Sequence, residues 1–318
     1  MVLYVMKMTN LFEGRDLISI RDLSSRDIKT IIKCSYEMEK KVQKGKKLSV
    51  LNGIIVSMLF FEPSTRTRLS FESAVLRLGG NCIGFSEPNT SSTAKGETLA
   101  DTIRTVENYS DMIVIRHPLE GSAKLAAEMA EIPVINAGDG SNQHPTQTLL
   151  DMYTIEREAD GVKNKKIGFL GDLKHARTVH SLIYALSMFD TELYMISPDE
   201  LRLPRGLLEE VKDSVPVREG SSLSEFIEVL DVLYVTRIQR ERFADEEEYN
   251  RVRGAYKVTP DTIKNSKENL IIMHPLPRVD EISHAIDKTK HAVYFKQVYY
   301  GIPVRMAILS LLAGRYNG

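Results

Sequence analysis

The run Ser64-Thr65-Arg66-Thr67-Arg68 places hydroxyl and guanidinium side chains next to one another, a composition that could bind an anion. The preceding residues, 54–61, are nearly all apolar and several are β-branched, which is typical of a strand buried on both faces. Hydroxyls, guanidinium groups and free backbone N–H groups bind phosphate when they meet at the start of a helix. The run is therefore a candidate phosphate site if a helix follows it.

The residues after this run predict such a helix. Apolar side chains recur at helical spacing from Phe71 to Leu78, the pair Gly79-Gly80 supplies a stop, and Ser64 or Thr65 can cap the start. Arg66 and Arg68 then lie in the first turn, at the positive end of the helix dipole, where Asp or Glu is normally preferred. Two cations at that position indicate an anionic ligand. The alternative is an ordinary Ser/Thr cap followed by solvated arginines.

Composition limits the class of protein. A chain of 318 residues with 42% apolar content suits two domains of roughly 150 residues each. The 42 basic and 43 acidic side chains nearly cancel, so no overall basic field favours a nucleic acid partner. No apolar run reaches the ~18 residues of a membrane span, and residues 1–10 lack the features of a signal peptide. We therefore expect a cytoplasmic protein without a membrane partner.

No metal site and no cofactor are predicted. Cys34 and Cys82 are too few for a disulfide framework or a thiolate site and are expected to be reduced thiols. The acidic run at 245–248 is expected to be a solvated loop or helix face, because arginines flank it. The glycines of the segment 168–172 lack the G-x-G-x-x-G spacing of a dinucleotide site.

The chain alternates short apolar runs with amphipathic helical segments, which predicts an α/β fold of two domains. Each domain is expected to contain a mainly parallel sheet flanked by helices. The runs 112–115 and 133–136 join the strand at 54–61 in the first domain, and 167–170, 193–196, 232–235 and 270–273 form the second. The charged stretch 156–166 is the expected boundary between the two cores, and the helix before it could bridge both domains.

Polar side chains follow these strands at the places where the strands end. They are Ser64 to Arg68, Arg116-His117, His144 with Gln147, Arg177-Thr178, Arg237 with Gln239, and His274-Pro275-Leu276-Pro277. Each alone has an ordinary explanation, since Arg116 could form a surface ion pair, His144 could be a satisfied loop histidine, and Arg177 or Arg237 could be solvated. Together they predict a ligand site, because the carboxyl ends of parallel strands are where open α/β sheets bind ligands.

From about Leu17 to Arg315 the chain resembles the carbamoyltransferase family. Ser64 to Thr67 resembles the phosphate motif that ornithine carbamoyltransferases share. The segments 137–147, 237–239 and 274–281 resemble the aspartate branch more specifically. Ornithine enzymes usually carry a cysteine at the equivalent of Pro275, and this chain has none there.

The resemblance implies transfer of the carbamoyl group of carbamoyl phosphate to the amine of L-aspartate, giving N-carbamoyl-L-aspartate and phosphate in de novo pyrimidine biosynthesis. It also implies a carbamoyl phosphate-binding domain at 1–145, on which a C-terminal helix at 300–318 packs back, and an aspartate-binding domain at 146–299. The active site is expected in the cleft between the domains. The alternatives are a carbamoyltransferase for another amino acid such as ornithine, and a non-catalytic phosphate-binding subunit.

The resemblance assigns roles to single residues. Expected to bind carbamoyl phosphate are Ser64, Thr65, Arg66, Thr67, Ser91, Arg116, His144, Gln147, Leu276 and Pro277. Expected to bind aspartate are Lys95, Arg177, Thr178, Arg237 and Gln239. Of these, Arg66, Thr67, Lys95, Arg116 and His144 are expected to take part in catalysis.

A loop supplies the expectation about assembly. Residues 89–97 resemble the mobile family loop that reaches into the active site of a neighbouring subunit, and Ala94 stands where some members have a second lysine. Ser91 and Lys95 lie in this segment, which is rich in Ser and Thr and has no apolar anchor. A homotrimer with shared active sites is therefore expected. Whether separate regulatory chains bind is left open.

Overall fold

The computed structural model describes residues 11–85, 96–238, 240, 243, 245–252, 254 and 256–316. The chain divides into two compact units. Unit 1 comprises Met1–Leu150 and Tyr299–Gly318, and unit 2 comprises Asp151–Val298. The predicted boundary at 156–166 lies just beyond the first division, which falls inside a helix.

Unit 1 contains a four-stranded parallel sheet. Its strands are β1 (Ile55–Phe60), β2 (Asn81–Phe85), β3 (Met112–His117) and β4 (Val134–Asp139), in the spatial order β2-β1-β3-β4. The helices in sequence are α1 (Ser25–Gln43), α2 (Thr65–Arg77), α3 (Leu99–Val106), α4 (Ser122–Met129) and α5 (Pro145–Glu158), of which α5 continues into unit 2. Helix α1 begins with a capping box, in which Ser24 Oγ accepts the Asp27 N–H and the Asp27 carboxylate accepts the Ser24 N–H.

Unit 2 contains a five-stranded parallel sheet. Its strands are β5 (Lys165–Leu170), β6 (Thr191–Ile196), β7 (Val217–Gly220), β8 (Val232–Val235) and β9 (Ile271–Met273), in the spatial order β7-β6-β5-β8-β9. The helices are α6 (Arg177–Leu186), α7 (Arg205–Lys212), α8 (Glu246–Val252) and the start of α9 (Tyr294–Leu312), which continues into unit 1. The two parallel sheets flanked by helices confirm the predicted fold class.

Most strands are buried, including the edge strands β4 and β9, whereas the edge strands β2 and β7 are not. All residues of β4 and β8 are buried, as are five of the six in β1. The edge strands β2 and β7 are largely exposed or half-buried, and the sequence did not predict either of them. Within the described part of the chain, no helix is long and apolar enough to cross a bilayer.

Candidate active site

The predicted phosphate segment lies between the end of β1 and the first turn of α2. Ser64 occupies the N-cap position, as expected, but its hydroxyl makes no capping hydrogen bond, so the helix does not use it. Thr65 and Arg66 are exposed, whereas Thr67 is buried. Arg68 Nε donates to Glu72 Oε1 at 2.6 Å, one turn further along the helix. Arg68 is therefore neutralised internally, which leaves Arg66 as the arginine of this turn suited to an anion.

Arg116 brings a second guanidinium to the same edge of the unit 1 sheet. It lies in β3 opposite Phe60, the last residue of β1, so both strands end at the same level. Its side chain is only 11% exposed; Nη2 lies 3.0 Å from Glu62 Oε2 and Nη1 donates to the Ala137 carbonyl at 3.2 Å. Burial lowers the pKa of Arg116, the Glu62 charge raises it, and the nearby Arg66 lowers it again.

Two cations within electrostatic reach of each other repel, so the pair formed by Arg66 and Arg116 favours a bound anion. The buried Arg116 Nε has no hydrogen-bond partner in the described part of the chain. A guanidinium held by two contacts, with a third N–H unused, is suited to donate a hydrogen bond to a ligand oxygen.

His144 lies immediately before α5 and is 5% exposed. Its carbonyl accepts the N–H groups of Gln147 at 3.0 Å and Thr148 at 3.2 Å, so the backbone at His144 starts the helix. Gln147 follows in the first turn and is half-buried. Both predicted residues thus lie at the N-terminus of α5, directly after the loop that leaves β4.

The buried carboxylate of Asp139 shapes that loop. Its Oδ1 accepts from the Gln143 N–H and the Asn136 side chain, each at 3.0 Å, and its Oδ2 accepts from the Gly121 N–H at 3.0 Å and the Asn142 side chain at 3.1 Å. A carboxylate with four donors holds one loop conformation, because losing any donor would leave buried charge poorly satisfied. Asp139 therefore fixes the start of α5 and, with it, His144.

In unit 2 the residues predicted to bind the substrate aspartate lie in two places. Arg177 is the first residue of α6, half-buried, with no side-chain cap on the helix. Thr178 hydrogen-bonds the Tyr234 hydroxyl, and this hydroxyl donates to Asp151 Oδ2 at 2.9 Å. Burial and the neighbouring Asp151 charge raise the pKa of Tyr234 well above its usual range, so the phenol stays protonated. These hydrogen bonds hold Thr178 against the buried Tyr234 and thereby fix the first turn of α6, in which Arg177 lies.

Arg237 follows β8 and is half-buried beside a cavity of about 120 Å³. The cavity is also lined by Gly171, Thr236, Tyr256, Asp280 and Glu281. Gly171 has φ +118°, and a Cβ there would lie 2.2 Å from the Thr236 carbonyl oxygen, so the ends of β5 and β8 approach each other as only glycine permits. A larger cavity, of about 380 Å³, is lined by Ser222, Lys257 and Thr262 among others and by none of the predicted site residues.

The segment after β9 has an unusual backbone. The peptide between Leu276 and Pro277 is cis, and Leu276 has φ +56°. Arg237 acts electrostatically on His274 at the start of this segment and lowers its pKa, although burial is the larger cause of that lowering. Arg237 and the segment 274–277 thus lie near one another at the same edge of the unit 2 sheet.

Three predicted residues, Ser91, Lys95 and Gln239, lie outside the described residues. The residues that prediction missed are mainly carboxylates that support the predicted residues: Glu62 contacts Arg116, Asp139 holds the His144 loop, and Asp151 accepts from Tyr234, which contacts Thr178. Glu62 lies one residue and Asp139 three residues beyond a predicted strand end, a position that could have marked them. Asp151 carries no such signal, because it lies inside α5.

These observations define an α/β protein with two parallel-sheet units, each with arginines at the carboxyl edge of its sheet. Two family models match the chain in succession: the aspartate/ornithine carbamoyltransferase carbamoyl-P binding domain over residues 15–157, and the Asp/Orn binding domain over residues 163–312. The chain belongs to the aspartate/ornithine carbamoyltransferase family, which confirms the resemblance drawn from the motifs.

Individual relatives agree with this assignment. The aspartate carbamoyltransferase catalytic subunit of Thermococcus onnurineus (strain NA1) is 59% identical over 308 residues, which cover 96% of this chain and 99% of that protein. The structure of the catalytic subunit of M. jannaschii aspartate transcarbamoylase has a TM-score of 0.88 at 52% identity, covering 94% of this chain and 97% of that one. Aspartate transcarbamoylase from Trypanosoma cruzi, in complex with carbamoyl phosphate and aspartate, has a TM-score of 0.90 at 40% identity, covering 95% and 97%.

Proposed function

We propose that the chain transfers the carbamoyl group of carbamoyl phosphate to the amine of L-aspartate and releases phosphate, as a cytoplasmic step of pyrimidine biosynthesis. The observation that carries the proposal is the placement of Arg66 and Arg116 at one sheet edge, and of Arg177 and Arg237 at the corresponding edge of the other sheet, in a member of this family. Both substrates are anions, and both edges carry cations.

Carbamoyl phosphate requires a clamp for its phosphate. Arg66 is exposed at the N-terminus of α2, and the Ser64 hydroxyl beside it is not used as a helix cap. With Thr65, Thr67 and the first-turn N–H groups they supply charge-assisted hydrogen bonds to the phosphate oxygens.

The reaction itself needs donors for a developing oxyanion. The aspartate amine attacks the carbamoyl carbon, a C–N bond forms, and the C–O bond to phosphate breaks after a tetrahedral intermediate. Arg116, His144 and Thr67 donate to the carbamoyl oxygen as its charge grows. Arg116 is suited to this role because it is buried and held by Glu62 and Ala137, so little reorganisation accompanies the charge development.

The carbamoyl amide needs acceptors rather than donors. Gln147 and the carbonyls of Leu276 and Pro277 take this role. Among the described residues, none donates a hydrogen bond to either of these two carbonyls.

Aspartate brings two carboxylates and an amine that must be neutral to attack. Arg177 and Arg237, with Gln239, bind the carboxylates, because guanidinium groups match carboxylates in a bidentate geometry. Thr178 supports Arg177 through its bond to Tyr234. Ornithine would need an acceptor for its side-chain ammonium, so this arrangement favours aspartate.

The direct test is to assay carbamoyl transfer from carbamoyl phosphate to aspartate and, in parallel, to ornithine. Turnover with aspartate alone is the expected result. Turnover with ornithine alone would support the alternative amino-acid substrate. Phosphate binding without turnover of either would support a non-catalytic subunit.

The proposed assembly is a homotrimer in which Ser91 and Lys95 of one chain complete the site of its neighbour. The test mixes inactive Arg66→Ala and Lys95→Ala chains under conditions that let subunits exchange. Shared sites predict recovered activity, because some hybrid sites combine an intact Arg66 with an intact Lys95. Exchange without recovery would refute sharing. Size-exclusion with light scattering gives the number of chains and, with a cell extract added, any regulatory chain that binds.

A further inference from the structure

His274 and Glu281 form a buried pair that the proposed mechanism does not use. His274 is 1% exposed and Glu281 6%. His274 Nε2 and Glu281 Oε1 are 2.6 Å apart. Burying two polar side chains costs free energy unless both make their full set of hydrogen bonds. The fold is therefore expected to supply hydrogen-bond partners for both side chains.

The second ring nitrogen fixes how the pair is protonated. His274 Nδ1 lies 2.8 Å from the Leu276 N–H, which donates to it, so Nδ1 carries no proton. The neutral ring therefore carries its proton on Nε2 and donates it to the Glu281 carboxylate. Burial lowers the pKa of His274, and the bonds from His274 and from backbone N–H groups outweigh burial and lower the pKa of Glu281. Both directions agree with a neutral imidazole beside a carboxylate.

The other oxygen of Glu281 holds the far end of the same segment. Glu281 Oε2 accepts the N–H groups of Val279 and Asp280, each at 3.0 Å. The segment 275–280 is thus anchored at Leu276 by the imidazole and at Val279 and Asp280 by the carboxylate. Between these anchors lie the carbonyls of Leu276 and Pro277.

The anchors have to oppose an unfavourable backbone conformation. Leu276 has φ +56°, in the left-handed region that is unfavourable for a residue other than glycine. The bond from its N–H to His274 Nδ1 is a local interaction that specifies this conformation. The backbone at His274 is also fixed, because its main-chain N–H donates to Gln297 Oε1 at 3.0 Å. Gln297 Nε2 in turn donates to Asp151 Oδ1 at 2.6 Å.

We propose that His274 and Glu281 are positioning residues that hold the carbonyls of Leu276 and Pro277 where they accept the N–H groups of the carbamoyl amide. The pair therefore makes the site selective for a ligand with an amide over one with a methyl group at the same place. This inference rests on the proposed function. Glu281 does not itself bind substrate, since both of its oxygens are engaged.

Two stable ligands separate selectivity from general binding. Phosphonoacetamide keeps the amide of carbamoyl phosphate and carries a phosphonate in place of its phosphate, because a methylene replaces the bridging oxygen. 2-Oxopropylphosphonate differs from it only by a methyl group in place of the amide nitrogen. Calorimetric titration of the full-length wild type is expected to show tighter binding of the amide, by about tenfold, a ratio that corresponds to one or two hydrogen bonds.

Glu281→Gln and His274→Leu are expected to reduce that preference to about twofold or less, while the affinity for 2-oxopropylphosphonate changes by less than about threefold. His274→Asn is expected to keep most of the preference, because an Asn side-chain oxygen can replace Nδ1 as acceptor for the Leu276 N–H. The matched control is Asp231→Asn. Asp231 is another buried carboxylate of unit 2, which accepts the Lys166 N–H and pairs with Lys267, but it lies at the amino ends of the strands.

In Glu281→Gln, an equal loss of affinity for both ligands or an unchanged preference for the amide would overturn the inference. Loss of the preference in Asp231→Asn would overturn it as well. Thermal unfolding of each variant identifies a chain that has failed to fold. If Glu281→Gln fails to fold, His274→Leu carries the test with the same expected loss of preference. The two proposals fail differently. A wild type that does not convert carbamoyl phosphate and aspartate refutes the proposed function, whereas an active wild type whose variants keep full selectivity refutes only the positioning role.

Discussion

Arg116→Met is expected to abolish most activity while leaving the fold intact. Methionine approximates the length of the arginine stem, so it fills the buried space without the guanidinium. The proposed reaction loses one preorganised donor to the oxyanion, which typically lowers the catalytic constant by ~10²–10³, or about 3–4 kcal/mol of transition-state stabilisation. The guanidinium is charged throughout the neutral range, so no pH adjustment would restore the lost donor.

The expected change in stability is smaller, and the contacts of Arg116 show why. The substitution removes one hydrogen bond to the Ala137 carbonyl, worth about 1 kcal/mol. It also removes the contact with Glu62, whose side chain is 35% exposed, so solvent screening limits that pair to about 1 kcal/mol or less. Relief of the buried charge opposes both losses. The free energy of unfolding should therefore fall by no more than about 2 kcal/mol.

Steady-state kinetics with both substrates saturating gives the catalytic constant, and urea unfolding gives the stability. Lys267→Met is the control, because Lys267 is a half-buried cation paired with Asp231 at 2.6 Å at the amino edge of the unit 2 sheet. It should lose stability to a similar extent and keep its activity. A catalytic constant within tenfold of wild type for Arg116→Met would show that Arg116 is not an oxyanion donor. A stability loss above ~3 kcal/mol would show that its role is mainly structural.

Four other perturbations test separate parts of the molecule. Arg66→Ala should weaken phosphate binding by about 10- to 100-fold in calorimetry, the range for a charge-assisted contact, and an unchanged affinity would exclude Arg66 from the clamp. His144→Ala should lower turnover by at least about tenfold and phosphate affinity little; a selective loss of phosphate affinity would reverse its assigned role. Arg237→Ala should raise the aspartate concentration needed for half-maximal rate by about tenfold or more without weakening the binding of carbamoyl phosphate. Equal losses of affinity for both substrates would contradict the assignment of aspartate binding to unit 2. Burial raises the pKa of the Cys34 thiol to about 11, so the thiol of the unfolded chain, with a pKa near 9, ionises first. The resulting stability is present below about pH 9 and is lost towards pH 11, by up to about 3 kcal/mol, and Cys34→Ala should lack this loss in urea unfolding at each pH.

The buried strands could be predicted because burial on both faces leaves a continuous apolar run. This holds for β1, β3, β4 and β8, and those positions in turn located the polar residues that follow them. The edge strands β2 and β7 could not be predicted in the same way. Residues of β2 read Asn-Cys-Ile-Gly-Phe and those of β7 Val-Arg-Glu-Gly, and neither pattern is distinguishable from a loop. Their strand character comes from pairing with β1 and β6, which is a tertiary effect.

Prediction of the site divided in a similar way. The cations proposed to bind substrate lie at the end of a strand or in the segment that follows it, so Arg66, Arg116 and Arg237 could be identified from local sequence. Their supporting network could not, because its members are distant in the chain. Asp151 bonds Tyr234 across 83 positions and Gln297 across 146, and no local pattern in a single sequence encodes such pairs.

Unit 1 is discontinuous in sequence, and this has a consequence for synthesis of the chain. Its final segment, from Tyr299 onward, is made after the whole of unit 2. Within that segment Arg305 is 3% exposed, donates to Ser70 Oγ at 2.8 Å and lies 4.9 Å from the centre of the Phe71 ring. Helix α2, which begins with the predicted phosphate segment, thus receives these contacts only after unit 2 has been translated. Although domains generally fold in the order of synthesis, unit 2 is the first to have its full sequence outside the ribosome. The nascent chain accordingly holds unit 1 unfinished until helix α9 emerges.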